Sequence, residues 1–260
     1  MRSELKALIL DMDGVLWRDE QPIGDLKTVF KNIRNRGWEV MLATNNATRT
    51  VDQYVTKLKS FGVTLSNNNI VNSGQVVAHY LKEQYPAGGH VFVVGEDALI
   101  SELGRKGFSH SAENPLAVVV ALDRHLTYNK LKEATLLIRG GLPFIATNPD
   151  RTLPSPEGLV PGTGSILAAL EASSESKPLI VGKPAPTMYE VAMDRIQVRP
   201  QDTLVVGDRL ETDIAGAQGI GCHTALVLSG VSTEEAARHW EPQPDWIAKD
   251  LDSLIALLPG

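Results

Sequence analysis

The sequence predicts an α/β protein, a Rossmann-like parallel-sheet core interrupted by an inserted α/β domain. Short apolar runs rich in β-branched residues alternate with longer amphipathic stretches along nearly the whole chain, the pattern of parallel strands joined by helical crossovers. Of the 260 residues 43% are hydrophobic and only 22% charged, so a core can form without disulfides or metal staples. Several apolar runs end in short polar loops that carry carboxylates. Open parallel sheets bind ligands at such strand ends.

Taken in order, Ala7–Leu10 is the first strand. A helix over 25–36 is stopped by Gly37, and 38–43 forms the next strand. A second helix over 50–61 ends at Gly62, where glycine can take the left-handed cap conformation. A third strand covers 70–72. From His79 the pattern restarts, with strands at 91–94, 117–122 and 143–147 and helices at 97–106, 129–139 and 162–171. The small polar stretch Ala172–Lys177 suits a domain boundary. Beyond it, 179–181, 203–206, 224–228 and 246–247 read as strands. The simplest organisation is a core carrying an insertion of about 100 residues, an ordinary domain size.

Charge and composition narrow the function. There are 25 Lys and Arg against 31 Asp and Glu, a net charge of −6, which argues against general affinity for nucleic-acid backbones. One cysteine, Cys222, excludes an internal disulfide framework and a multi-cysteine zinc site. No apolar run approaches the ~18–20 residues of a membrane span, and the N-terminal run is too short for a signal peptide. The expectation is a soluble, cytoplasmic protein with neither nucleic-acid nor membrane partners. The six histidines show no close metal-ligand spacing, and Cys222 reads as packed rather than catalytic.

Four strand ends carry candidate chemistry. Ala7–Leu10 delivers Asp11 and Asp13, one residue apart and so directed to one side, into a loop that Gly14 lets turn. A carboxylate can attack phosphorus covalently, but Asp-x-Asp-Gly is also an ordinary turn. The second strand ends in Thr44, Asn45 and Asn46, neutral groups that can hold phosphate oxygens or cap the following helix. The third, Leu179–Val181, leads into Lys183 between Gly182 and Pro184, a lysine able to neutralise an anionic substrate or to lie solvated. The fourth ends in Gly207 and Asp208, with Asp213 five residues on. These acids suit a hard divalent cation, or an exposed turn before a helix.

In this order, Asp-x-Asp, Thr-Asn, Lys and Gly-Asp-x4-Asp, the chain resembles the haloacid dehalogenase superfamily of aspartate-nucleophile phosphohydrolases, over almost its full length. The segments DMDGVLWRDE, TNNATRT, ATNPD, GLVPGTGSI and VGKPAP look like its 4-nitrophenylphosphatase, or NagD-like, branch. That resemblance implies a catalytic core of residues 1–78 and 179–260 and an inserted cap of residues 79–178. It implies Mg²⁺-dependent hydrolysis of small-molecule phosphate monoesters, such as 4-nitrophenyl, sugar, nucleotide, pyridoxal or glycolate phosphates. It also allows a homodimer through the cap.

By the same resemblance Asp11 is the nucleophile that forms an aspartyl-phosphate. Asp13 protonates the leaving alcohol and then activates water. Thr44, Asn45, Asn46 and Lys183 bind and orient the phosphoryl group. Asp11, the Asp13 carbonyl and Asp208 hold the metal, and Asp213 orients a metal-bound water without touching the metal. In the cap, Asn148 and Asp150 match the segment that meets substrate, although Asn-Pro-Asp also makes an ordinary turn. Gly162-Thr163-Gly164 lacks the P-loop pattern and reads as helix entry and packing. Alternatives are a phosphotransferase or mutase on the same fold, and a non-catalytic sensor of a phosphometabolite. A dehalogenase would need neither Asp13 nor the metal acids, and a flavodoxin-like module lacks its glycine signature.

Overall fold

The computed structural model describes residues 5–155 and 157–259; residues 1–4, 156 and 260 of the expected segments lie outside it. The chain forms two compact units. One comprises Met1–Thr44, Val51–Val71 and Pro186–Gly260, the other Asn45–Thr50 and Asn72–Ala185.

The first unit is built on a six-stranded sheet in the order Trp246–Ala248, His223–Val227, Thr203–Gly207, Ala7–Leu10, Glu39–Thr44, Ile70–Asn72. Ala7–Leu10 runs parallel to both neighbours, with Leu10 opposite Val206 on one side and Leu42 on the other. All four of its residues are buried, which explains the unbroken apolar run in place of alternation. Leu8, Leu10, Phe30, Ile33, Leu42, Leu204 and Val206 share one apolar core. Chain order reverses at this strand, since the next strands in sequence lie to one side and the later ones to the other. Such a switch point opens a crevice at the carboxyl ends of the strands. Asp11, Thr44 and Asp208 stand at or just past those ends.

Local sequence sets the helices around this sheet. Leu26–Asn35 buries Leu26, Val29, Phe30 and Ile33 at spacings of three and four, and the Asp25 side chain accepts from the Thr28 amide to cap it. Gly37, at φ +72, turns the chain back into the sheet.

The second unit carries a five-stranded sheet in the order Leu179–Ile180, Phe144–Ala146, Val118–Val120, Gly89–Val94, Phe108–His110, with parallel neighbours throughout. Phe92, Val118, Val120, Ile138, Phe144, Leu167 and Leu170 form its core. Three features depart from the sequence-based expectation. Leu179–Ile180 pairs with Ile145 and Ala146 in this sheet, because Ile180 packs on this core. The helix Thr163–Ser174 runs into the polar stretch at 172–177, which is its exit, with Glu175 left-handed at the cap. A helix over Ser73–Gln84, capped by Asn72, also belongs here. The main divisions therefore fall after Val71 and after Ala185, and the short segment Asn45–Thr50 also belongs to the second unit. No helix among the described residues is long and apolar enough to cross a membrane.

Candidate active site

The site grows from the end of Ala7–Leu10. Asp11, Asp208 and Asp213 each place a carboxylate oxygen within 4.8 Å of the others, and all three residues are buried. Asp11 continues its strand, its amide donating to the Val206 carbonyl at 2.8 Å. Asp208 follows the adjacent strand directly. Asp213 reaches the group because a π-type turn, Leu210–Ile214, brings the chain back beneath Gly207. There the Asp213 Oδ2 accepts from the Arg209 amide at 3.1 Å. Tyr189, fully buried, donates from its hydroxyl toward the carbonyls of Thr212 and Asp213 and supports that turn.

The close grouping needs backbone without side chains. A Cβ on Gly207 would lie 2.1 Å from Asp213 Cβ, and one on Gly230 would lie 1.9 Å from Asp208 Oδ2. A Cβ on Gly14, at φ +86, would fall 2.5 Å from the same oxygen. The loop Ser229–Ser232 completes the wall. The Val231 amide donates to Asp208 Oδ2 at 2.8 Å, Ser232 donates its amide to the Asp208 carbonyl, and Ser229 Oγ donates to the Gly14 carbonyl at 2.7 Å. Sequence reasoning missed this loop. Its signal was available, since His223–Val227 is one more apolar run ending in a small polar loop. Asp13 sits half-buried beside the cluster in sequence, with Oδ1 accepting from Trp17 Nε1 at 2.8 Å, another partner the sequence reading did not find.

A second network lies within the other unit and gathers four of the expected site residues. The Asn45 side chain clasps the Lys183 backbone in both directions. Its Oδ1 accepts from the Lys183 amide at 2.8 Å, and its Nδ2 donates to the Lys183 carbonyl at 3.0 Å and to Asp150 Oδ2 at 3.3 Å. Asn148 Nδ2 donates to the Asn45 carbonyl at 2.8 Å, and Asn148 Oδ1 accepts from the Asp150 amide. The Asn45 amide group is thus engaged in holding Lys183. Asn46 Oδ1 accepts from the Thr48 amide and hydroxyl, a local turn. Gly162 and Gly164 lie against the Asn148–Asp150 segment, where a Cβ on Gly164 would meet the Pro149 carbonyl at 2.4 Å. This packing accounts for both glycines. Thr44, the last residue of its strand, is buried in the first unit.

Residues 8–109 match the haloacid dehalogenase-like hydrolase family and residues 180–254 a HAD-hydrolase-like family. A D-glycerol 3-phosphate phosphatase of Mycobacterium tuberculosis is 38% identical over 257 residues, covering 97% of this chain and 71% of that protein. The solved structure of a 4-nitrophenylphosphatase from Thermotoga maritima superposes with a TM-score of 0.92 at 34% identity, covering 98% of each chain. A glycerol phosphate phosphatase of Mycobacterium tuberculosis, solved in complex with magnesium, gives 0.90 at 37% identity over 96% of this chain and 76% of that one.

Cys222 is buried, and burial pushes its thiol up to about 12. The thiolate is the reactive form. The native protein should therefore resist iodoacetamide at pH 8 and take up one equivalent only when denatured. Rapid labelling of the native chain would contradict this.

Proposed function

The chain belongs to the haloacid dehalogenase-like hydrolases and is a phosphatase, and on that premise we propose that it hydrolyses small-molecule phosphate monoesters with Mg²⁺ through an aspartyl-phosphate on Asp11. The observation that carries this reading is the group of three carboxylates, with Asp208 and Asp213 buried, at the carboxyl ends of two neighbouring central strands. Its donor set is all hard oxygen, which suits Mg²⁺ and not a soft metal. Asp11, Asp208 and the Asp13 carbonyl would hold the ion, with Asp213 orienting it from outside. When bound, Mg²⁺ supplies positive charge that lets an anionic nucleophile approach a phosphate dianion.

The remaining chemistry falls to the chain. A carboxylate oxygen of Asp11 attacks phosphorus in line, and the ester P–O bond breaks. The leaving oxygen takes its proton from the Asp13 carboxyl group, so the alcohol departs neutral. Asp13, now ionised, accepts a proton from water, whose oxygen attacks the phosphorus of the aspartyl-phosphate. Inorganic phosphate leaves, and both aspartates return to their starting forms. Thr44 and Lys183 are assigned to the phosphoryl oxygens, with Asn45 fixing the Lys183 backbone. The second unit is assigned to substrate selection through Asn148 and Asp150. The relatives named for glycerol phosphate and 4-nitrophenyl phosphate support polyol and aryl monoesters as the first substrates to try.

Phosphate release from a panel of monoesters, run with Mg²⁺ and with chelator, tests the proposal. Release that needs Mg²⁺ and falls by on the order of 10⁴-fold or more in Asp11→Asn is expected. Phosphate passed to an acceptor without release would indicate a transferase, and full activity in Asp11→Asn would sink the covalent route. Gly230→Ala should lower kcat/KM by about 10²-fold, because the new methyl group must displace the Asp208 carboxylate. An unchanged rate in that variant would mean that the position of Asp208 is not critical.

A further inference from the structure

Trp17 makes contacts that packing alone does not require. It is almost fully buried, stacks on Tyr54 with ring centroids 6.3 Å apart and planes 15° apart, and lies 6.1 Å from Phe61. Above the indole, 4.5 Å from its centroid, sits the ammonium of Lys57, a buried lysine that bonds the Asp19 carbonyl and lies 3.5 Å from Glu20. The ring is thus held on its faces. Its one polar atom, Nε1, donates to Asp13 Oδ1 at 2.8 Å. The backbone fixes the same pair. Gly14 donates its amide to the Trp17 carbonyl at 2.8 Å, and the Trp17 amide donates to the Met12 carbonyl at 3.3 Å.

We propose that Trp17 is a positioning residue for Asp13, fixing which carboxylate oxygen faces the substrate. The inference rests on the reading of Asp13 as the acid that protonates the leaving group. A carboxyl group rotates readily about its terminal bond, because that torsion is broad and roughly two-fold. An indole N–H can only donate, so it can hold an oxygen that does not carry the proton. With Oδ1 engaged by Trp17, Oδ2 is the oxygen left to pass a proton to the alcohol. Tyr54, Phe61 and Lys57 keep the indole plane from turning, which carries the constraint from the helix Val51–Ser60 and its exit to Asp13.

The test uses the leaving group as its readout. General acid catalysis matters when the departing oxygen is basic and contributes little when it is not. Because kcat/KM covers every step up to departure of the alcohol, we compare it for phenyl phosphate and 4-nitrophenyl phosphate in Trp17→Phe. The expected result is a loss for phenyl phosphate about tenfold greater than the loss for 4-nitrophenyl phosphate, a share of the ~10²–10⁴-fold that a positioned acid supplies. A merely structural role would lower both equally. To guard against misfolding, a second variant carries 3-benzothienylalanine at position 17, which keeps the fused rings and lacks the N–H. It should show the same uneven loss. An even loss or no loss in this second variant overturns the proposal. Asp13→Asn separates the two levels. If it turns over phenyl phosphate like the parent protein, the reading of Asp13 has failed. If it is inactive while both Trp17 variants respond evenly, only the positioning role has failed.

Discussion

Three carboxylates whose oxygens lie within 4.8 Å of one another, all in buried residues, set the terms for the rest of the first unit. Unit charges about 5 Å apart repel by about 3 kcal/mol at the effective dielectric typical of proteins. The fold meets that cost locally. Backbone amides of Val231 and Arg209 donate to Asp208 and Asp213, and glycines at 14, 207 and 230 let backbone close around the acids where any side chain would collide. Charge-assisted bonds of this kind are among the stronger ones available to a protein. The arrangement leaves a concentration of negative charge that a divalent cation can complete.

The same constraint places the acids at the sheet's switch point. Asp11, Thr44 and Asp208 occupy the ends of three neighbouring parallel strands, so their backbone positions are fixed by the ladder beneath them. Rigid elements hold a reacting group better than free loops do. The second unit uses a different device. There, an asparagine side chain takes the place of a strand pairing and locks the backbone of Lys183 to that of residue 45.

Much of this was legible in the sequence, for a physical reason. A strand buried on both faces must be a continuous apolar run, so its end is marked by the first polar residue, and Asp11 and Asp208 could be placed at once. Contacts between distant loops leave no such mark. Ser229 meets Gly14 across 215 positions and Asn45 meets Lys183 across 138, and neither pairing has a periodicity to betray it. Trp17 carries no mark either, since nothing in the sequence shows that its N–H reaches Asp13. The Leu179–Ile180 strand was visible, yet its sheet was not. Two apolar residues before a glycine fit either sheet, and only the pairing with Ile145 and Ala146 decides it.

Calorimetric titration of Mg²⁺ into the intact chain tests most directly whether the acid cluster holds a cation. One Mg²⁺ should bind per chain, with a matching rise in the thermal unfolding temperature, since a ligand that binds only the folded state stabilises it. No heat of binding, no thermal shift and undiminished phosphate release in chelator would together contradict it.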